Sequence, residues 1–250
     1  MDNYKTEQFY IYPAIDLRKG KVVRLTQGDP RKLVTFDHRP ENIAQRWIEA
    51  GAEWLHIINL DGAFGEEGNQ NLRALHRIIE TIKISGRNVL IQFGGGLRTL
   101  KQIDRVINAG VRRVILGSAA INSPNLVSEA VCIFGSDHVC IALDTRNQQV
   151  YFHGWTEAVP ISPIDFGKKI KNAGVKICIY TNIEKDGMQT GIDVEGTKIF
   201  ADCTGLQVIA SGGFTGIKEI QAIRNAGLQG VIIGKALYEG TIQLEDALKC

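Results

Sequence analysis

The sequence predicts a single-domain α/β fold, a (β/α)8 barrel built from two similar halves. Short apolar runs alternate with helical patterns through eight units of roughly 30 residues in a 250-residue chain, the size and rhythm of such a barrel. A glycine landmark recurs: Gly95-Gly96 and Gly212-Gly213 stand 117 positions apart, and the same offset carries Ile115-Leu116-Gly117 onto Ile232-Ile233-Gly234 and Asn108-Ala109-Gly110 onto Asn225-Ala226-Gly227. No linker, low-complexity tract or shift in composition divides the chain, so 1–250 reads as one domain with half-barrels at 9–122 and 138–248. A doubly wound open sheet is the rival. Equivalent halves close into a ring more naturally than into a sheet with two different edges.

Taken in order, Phe9 to Asp16 is a first strand with too little polar alternation to face solvent, although Pro13 argues against an ordinary central position. Lys21 to Lys32 reads as a long first loop, and its polar part, Thr26 to Lys32, is a candidate lid. Ile43, Ala44, Trp47 and Ile48 follow helical spacing over Pro40 to Ala50, and Gly51 stops that helix. Trp54 to Leu60 is strand two, followed by a glycine-rich loop through Gly68 and a helix over Asn71 to Ile84. Strand three leads into Gly95-Gly96. Thr99 and Gln102 have capping-box spacing and open a helix that closes at Gly110. Arg113 to Gly117 and Val139 to Asp144 are strands four and five, and a short hairpin is expected around Val150 to Phe152. A helix over Pro163 to Asn172 leads to strand six at Lys176 to Thr181. Strand seven at Val208 to Ala210, strand eight at Val231 to Ile233 and a last helix from Ile242 complete the set.

A net charge of +2 gives no bulk attraction to nucleic acid or membrane, so any anion affinity must be local. The five cysteines have no Cys-x-x-Cys spacing and read as reduced, mostly buried thiols. The polar start MDNYKTEQ is unlike a secretory signal, and no apolar run approaches the roughly 18 residues that span a bilayer. A cytoplasmic monomer is expected, with no metal, no nucleic-acid partner and no membrane partner.

In a barrel of this kind the chemistry lies at the C-terminal ends of the strands, where Asp16, Asp144, Thr181 and Asp186 fall. Asp16 and Asp144 end strands one and five, on opposite sides of the ring, each two residues after a small alanine. Two carboxylates facing one another suit proton removal at one atom and delivery at another. Each could instead cap the turn that follows it. A glycine pair alone makes a tight turn; two copies at strand ends read as two phosphate cradles, since backbone N–H groups there can approach an anion closely. His56 on an apolar strand is open to a core role, Thr181 to that of an ordinary strand residue, and Trp155 either to stacking on a heterocycle or to packing on the rim.

PAIDL at 13–17, VRLTQGD at 23–29, LDGA at 60–63, GGGLR at 94–98, LDT at 143–145, Gly154-Trp155, Asp186-Gly187 and SGG at 211–213 together resemble the ProFAR isomerase family of histidine biosynthesis. That resemblance implies a cofactor-independent Amadori rearrangement of an aminoaldose to an aminoketose on a small-molecule bisphosphate substrate. It implies Asp16 as the general base at ribose C2′ and Asp144 as the general acid, supported by Thr181. His56 would lie near the reacting sugar, with Trp155 against the imidazole carboxamide and Asp186 at the substrate. One phosphate would take Gly95, Gly96 and Ser118 with Arg98 beside it, and the other Gly212, Gly213, Gly234 and Lys235. Asn59 and Asn182 stand where the family usually has Asp, and Met188 where Thr or Leu is common. The sister family, the cyclase subunit of imidazole glycerol phosphate synthase, is the nearest alternative, and a non-catalytic phosphosugar-binding barrel a more distant one.

Overall fold

The structure, a computed structural model, describes residues 8–26 and 29–250. In chain order the strands are β1 (Tyr10–Arg18), β2 (Lys21–Thr26), β3 (Asp29–Asp37), β4 (Trp54–Asn59), β5 (Leu90–Gly94), β6 (Arg113–Leu116), β7 (Val139–Arg146), β8 (Gln149–Phe152), β9 (Glu157–Val159), β10 (Ile177–Asn182), β11 (Gln207–Ser211) and β12 (Gly230–Ile233). Eight of them, β1, β4, β5, β6, β7, β10, β11 and β12, pair in that order, all parallel, and β12 returns to β1. Helices occupy the intervals between successive barrel strands, so the fold is a (β/α)8 barrel.

Alternation along β1 shows how the ring is filled. Tyr12 and Ala14 point inward with Trp54, Ile115, Cys140, Ile177, Ile179, Ile209 and Ile232, while Ile11, Ile15 and Leu17 join the larger core beneath the helices. Pro13 is accommodated in this central strand after all. Pairing with β12 ends at Pro13, opposite Ile233, and pairing with β4 begins at Ala14, so the missing N–H falls between two ladders.

The halves correspond in register as well as in sequence. β1 turns back into β2 with Asp16 opposite Val23, and β7 turns back into β8 with Asp144 opposite Tyr151, both pairs displaced by the same 128 positions. The expected loop after β1 is thus a hairpin of β2 and β3. Val22 and Val23 of β2 are buried, and such β-branched residues pack well on a pleated surface. The tip of the candidate lid, Gln27 and Gly28, lies outside the described residues, and its flanks are strands. The hairpin foreseen around Val150 is present, with Asn147 and Gln148 both at positive φ in its turn.

Helix boundaries follow the local chemistry. The helix Pro40–Glu49 buries Ile43, Ala44, Trp47 and Ile48, and Leu100–Ala109 opens on the Thr99/Gln102 capping box. The glycine-rich loop after β4 contains a helical turn, Leu60–Ala63, because the Asn59 side chain accepts from the Gly62 N–H. The last helix begins at Leu244 rather than Ile242. All five thiols are free, but only Cys140 and Cys178 are buried; Cys132 and Cys203 face outward from surface helices. No helix among the described residues is long and apolar enough to cross a membrane.

Candidate active site

The C-terminal ends of the eight strands open onto a cavity of about 250 Å³, and every candidate catalytic or substrate-binding residue named from the sequence lines it. Asp16 and Asp144 enter from β1 and β7, four strands apart around the ring of eight. Ala14 and Ala142 lie beneath them on the same wall, and their small side chains leave the cavity its depth.

Asp16 is ion-paired with Arg24 of β2 at 2.6 Å, and both side chains are largely buried. Burial pushes the Asp16 carboxyl up from its usual range, while the Arg24 guanidinium pulls it back down. Arg24 went unassigned in the sequence. Its place depends on the antiparallel turn back from β1, which puts the polar position between buried Val23 and Leu25 beside Asp16.

Asp144 has no ion pair with a cation among the described residues. Burial raises its pKa, and side-chain hydrogen bonds from Trp155 and then Thr181 lower it. Thr181 is the cross-strand neighbour of Asp144, so its hydroxyl is delivered by register. Trp155 arrives through a left-handed run, His153, Gly154 and Trp155 all having positive φ. A Cβ on Gly154 would come within 2.8 Å of the Phe64 ring, so that glycine lets the loop seat on the Leu60–Ala63 turn. The Trp155 indole faces a carboxylate rather than only the rim.

Asp186 is the third carboxyl. It is pushed up to about 6, first by burial and further by Asp16 and Asp144, against the pull of Arg24. His56 is driven the other way, down to about 3, by burial and then by Arg24. The ring is therefore neutral, and Gln92 holds its Nδ1 at 2.9 Å.

The glycine pairs have a packing role that the sequence could not display. A Cβ on Gly95 would collide with the Asn59 carbonyl, and one on Gly96 would lie 2.7 Å from the Gly62 Cα. In the other half, Gly212 approaches the Asn182 carbonyl at 2.6 Å and Gly213 the Gly191 carbonyl at 2.7 Å, counted from the Cβ positions they lack. All four have φ between 81° and 98°. The tight-turn reading therefore applies, and the close approach seen here is to neighbouring protein backbone. Next to each pair a second element repeats: Gly117 (φ −102°, ψ −103°) precedes a short helix beginning at Ser118, and Gly234 (φ −113°, ψ −97°) one beginning at Lys235. The Arg24 guanidinium lies against Gly234, where a side chain would strike it.

Arg98 donates to the Gly62 carbonyl at 3.1 Å, Lys235 to the Gly187 carbonyl at 3.0 Å, and the Ser118 hydroxyl accepts from the His153 N–H at 3.0 Å. Asn59 and Asn182 do not line the cavity. Asn59 accepts from Gly62 N–H and Asn71 Nδ2, and Asn182 accepts from Glu184 N–H, so each organises the loop after its strand.

A family model described as histidine biosynthesis protein matches residues 10–243. A relative from Lachnoclostridium phytofermentans is 40% identical over 239 residues, covering 96% of this chain and 98% of its own. One from Methanococcus voltae is 36% identical, with 96% of each chain covered, and one from Oceanobacillus iheyensis is 41% identical, with 96% and 97% covered. All three are named 1-(5-phosphoribosyl)-5-((5-phosphoribosylamino)methylideneamino)imidazole-4-carboxamide isomerase, the systematic name of ProFAR isomerase.

Proposed function

The chain belongs to the histidine biosynthesis protein family and is an isomerase of that pathway, and from this premise we propose an Amadori rearrangement of ProFAR driven by an Asp/Asp pair between two phosphate sites. In this reading the acid gives its proton to the furanose ring oxygen as the C1′–O bond breaks, leaving an iminium at C1′. The base then takes the C2′ proton, the electron pair neutralises the iminium, and the resulting enolamine tautomerises to the aminoketose. No electrons leave the substrate, so the sequence needs no redox partner.

The observation that carries this reading is the unlike support of two carboxylates facing one cavity. Asp16, with a cation at 2.6 Å, is the one whose ionised form is better stabilised, as the base requires. Asp144, held among the described residues by the neutral donors Trp155 and Thr181, is the acid. One phosphate would sit at Gly95, Gly96 and Ser118 with Arg98 beside it, the other at Gly212, Gly213, Gly234 and Lys235. His56 would reach the sugar and Trp155 the carboxamide end. Asp186 supports a second assignment of the acid, because a carboxyl at about 6 carries a proton nearer neutrality than an ordinary aspartate does.

The test is a coupled absorbance assay supplying ProFAR and a separate cyclase–glutaminase complex. Asp16→Asn should lose about 10²–10⁴ in kcat while still binding product, since it removes a general base and leaves both glycine turns in place. Near-parental turnover in that variant would remove Asp16 from the role. Consumption of the ketose form with ammonia, in the absence of the added complex, would point to the cyclase instead. Silence in both assays with tight bisphosphate binding would make the barrel a binding protein.

A further inference from the structure

The barrel interior carries one polar row that its two-fold repeat does not call for. His56, Gln92 and Arg113 are successive cross-strand neighbours on β4, β5 and β6. The row in the same register on β10, β11 and β12 is Ile179, Ile209 and Gly230. The second half thus fills these positions with aliphatic side chains or none. Burying an imidazole, an amide and a guanidinium costs free energy unless each is partnered, so the polar row answers to something other than the fold.

Its hydrogen bonds run in one direction. Arg113, buried and stacked 4.4 Å over the Trp54 ring, donates from Nη1 to Gln92 Oε1 at 3.2 Å and from Nε to the Asp137 carbonyl at 3.3 Å. A guanidinium can only donate, so the amide oxygen of Gln92 faces it and the amide nitrogen faces His56. That nitrogen can only donate too, which makes His56 Nδ1 the acceptor at 2.9 Å and puts the ring proton on Nε2. His56 lines the cavity, and its strand runs beside the one that carries Asp16.

We propose that Gln92, oriented by Arg113, is a positioning residue that locks His56 as the Nε2–H tautomer and makes it a fixed hydrogen-bond donor to an oxygen of the bound sugar phosphate. The identity of that ligand rests on the isomerase reading above; the lock itself does not. His56 in this role carries no proton between atoms. It supplies a preorganised dipole next to the base, and the direction of that dipole is decided at Arg113, two strands away.

The lock is tested first on the unliganded protein, by nitrogen-15 NMR of labelled histidine with the His56 signals assigned from their loss in His56→Asn. The expected spectrum shows a protonated Nε2 and a bare Nδ1 at neutral pH. A protonated Nδ1, or a mixture of tautomers, overturns the proposal whether or not the chain turns over ProFAR. The second arm is Gln92→Glu, nearly isosteric and still able to pair with Arg113. Its carboxylate needs a proton on Nδ1, so at pH 8 His56 presents a bare Nε2 and kcat should fall about tenfold to a hundredfold, the range for losing one hydrogen-bond donor. As pH falls and the imidazole takes a second proton, Nε2–H returns, and the ratio of variant to parent activity should rise. A merely structural role for Gln92 would give a ratio flat with pH. Gln92→Met, which removes the lock without reversing it, should show a smaller loss and no such recovery. Unchanged kcat and KM in folded Gln92→Glu at every pH would overturn the proposal.

Discussion

Asp186→Asn should make the protein more stable above pH 6 and leave its stability near pH 4 unchanged. Asp186 stands at about 6 in the folded chain against 3.8 for a free aspartate, so the folded state holds this proton more tightly than the unfolded one. Below pH 4 both states are protonated and the group makes no difference. Between 4 and 6 only the unfolded chain ionises, and stability falls as pH rises; above 6 the full penalty is present and constant. At 1.36 kcal/mol for each tenfold change the ceiling is about 3 kcal/mol. Asp186 is only half-buried, so solvent screening brings the expected gain to about 1–3 kcal/mol, or roughly 2–12 °C in Tm for a chain of this length. Thermal and urea unfolding of parent and variant at pH 4 and pH 8 give the difference of differences, which includes the relief of Asp16 and Asp144 from the Asp186 charge. Equal offsets at the two pH values, or a less stable variant at pH 8, would refute the reasoning. The same variant separates the two acid assignments: kcat falls by about 10²–10⁴ if Asp186 is the acid and far less if Asp144 is.

Arg24→Gln should move the acid limb of kcat/KM to higher pH, because Asp16 loses the charge that opposes its burial and must be deprotonated to act as base; an unmoved limb in the pH–rate profile would exclude the pair from this role. Gly95→Ala should cost at least about 3 kcal/mol, since its Cβ would strike the Asn59 carbonyl at a φ of 98°. Gly86→Ala, at φ 66° with open space around it, should cost only about 1 kcal/mol, and urea midpoints of the two variants provide the comparison.

Much of the barrel was legible because its signals are local. Apolar runs bounded by glycine marked the strands, and the 117-residue offset located Gly117 and Gly234, whose backbone angles agree within 11°. Asp16 and Asp144 were legible because a carboxylate closing an apolar strand is conspicuous. What escaped was set by contacts across the chain. Arg24 looked like one more polar residue in a loop until β2 paired back onto β1. Gln92 preceded a glycine run that drew the attention, while its partners lie 36 and 21 positions away. The lack of room at Gly95 and Gly212 comes from the neighbouring strand's carbonyl, which no pattern within either glycine segment can reveal.

The two halves also give two like groups unlike surroundings. Asp16 and Asp144 occupy corresponding places, each two residues before the end of a barrel strand that turns back as a hairpin. The position after their hairpin partners is Arg24 in one half and Phe152 in the other. Arginine there supplies a charge that favours an ionised carboxylate. Phenylalanine supplies none, and the vacancy is met by the Trp155 indole, brought in by a loop with three left-handed residues. The inward row follows the same logic, with His56, Gln92 and Arg113 facing Ile179, Ile209 and Gly230 across the pseudo-axis. Features that recur, the glycine pairs, the short helices and the loop-organising Asn59 and Asn182, suit a ligand with an anion at each end. Those that do not recur lie in both halves: Arg24 and the His56–Gln92–Arg113 row in the first, the Trp155 loop in the second. The proposed reaction, on a substrate with two similar ends and one reacting carbon, would need this division: symmetry to hold it, and asymmetry to decide which carboxyl takes a proton and which gives one.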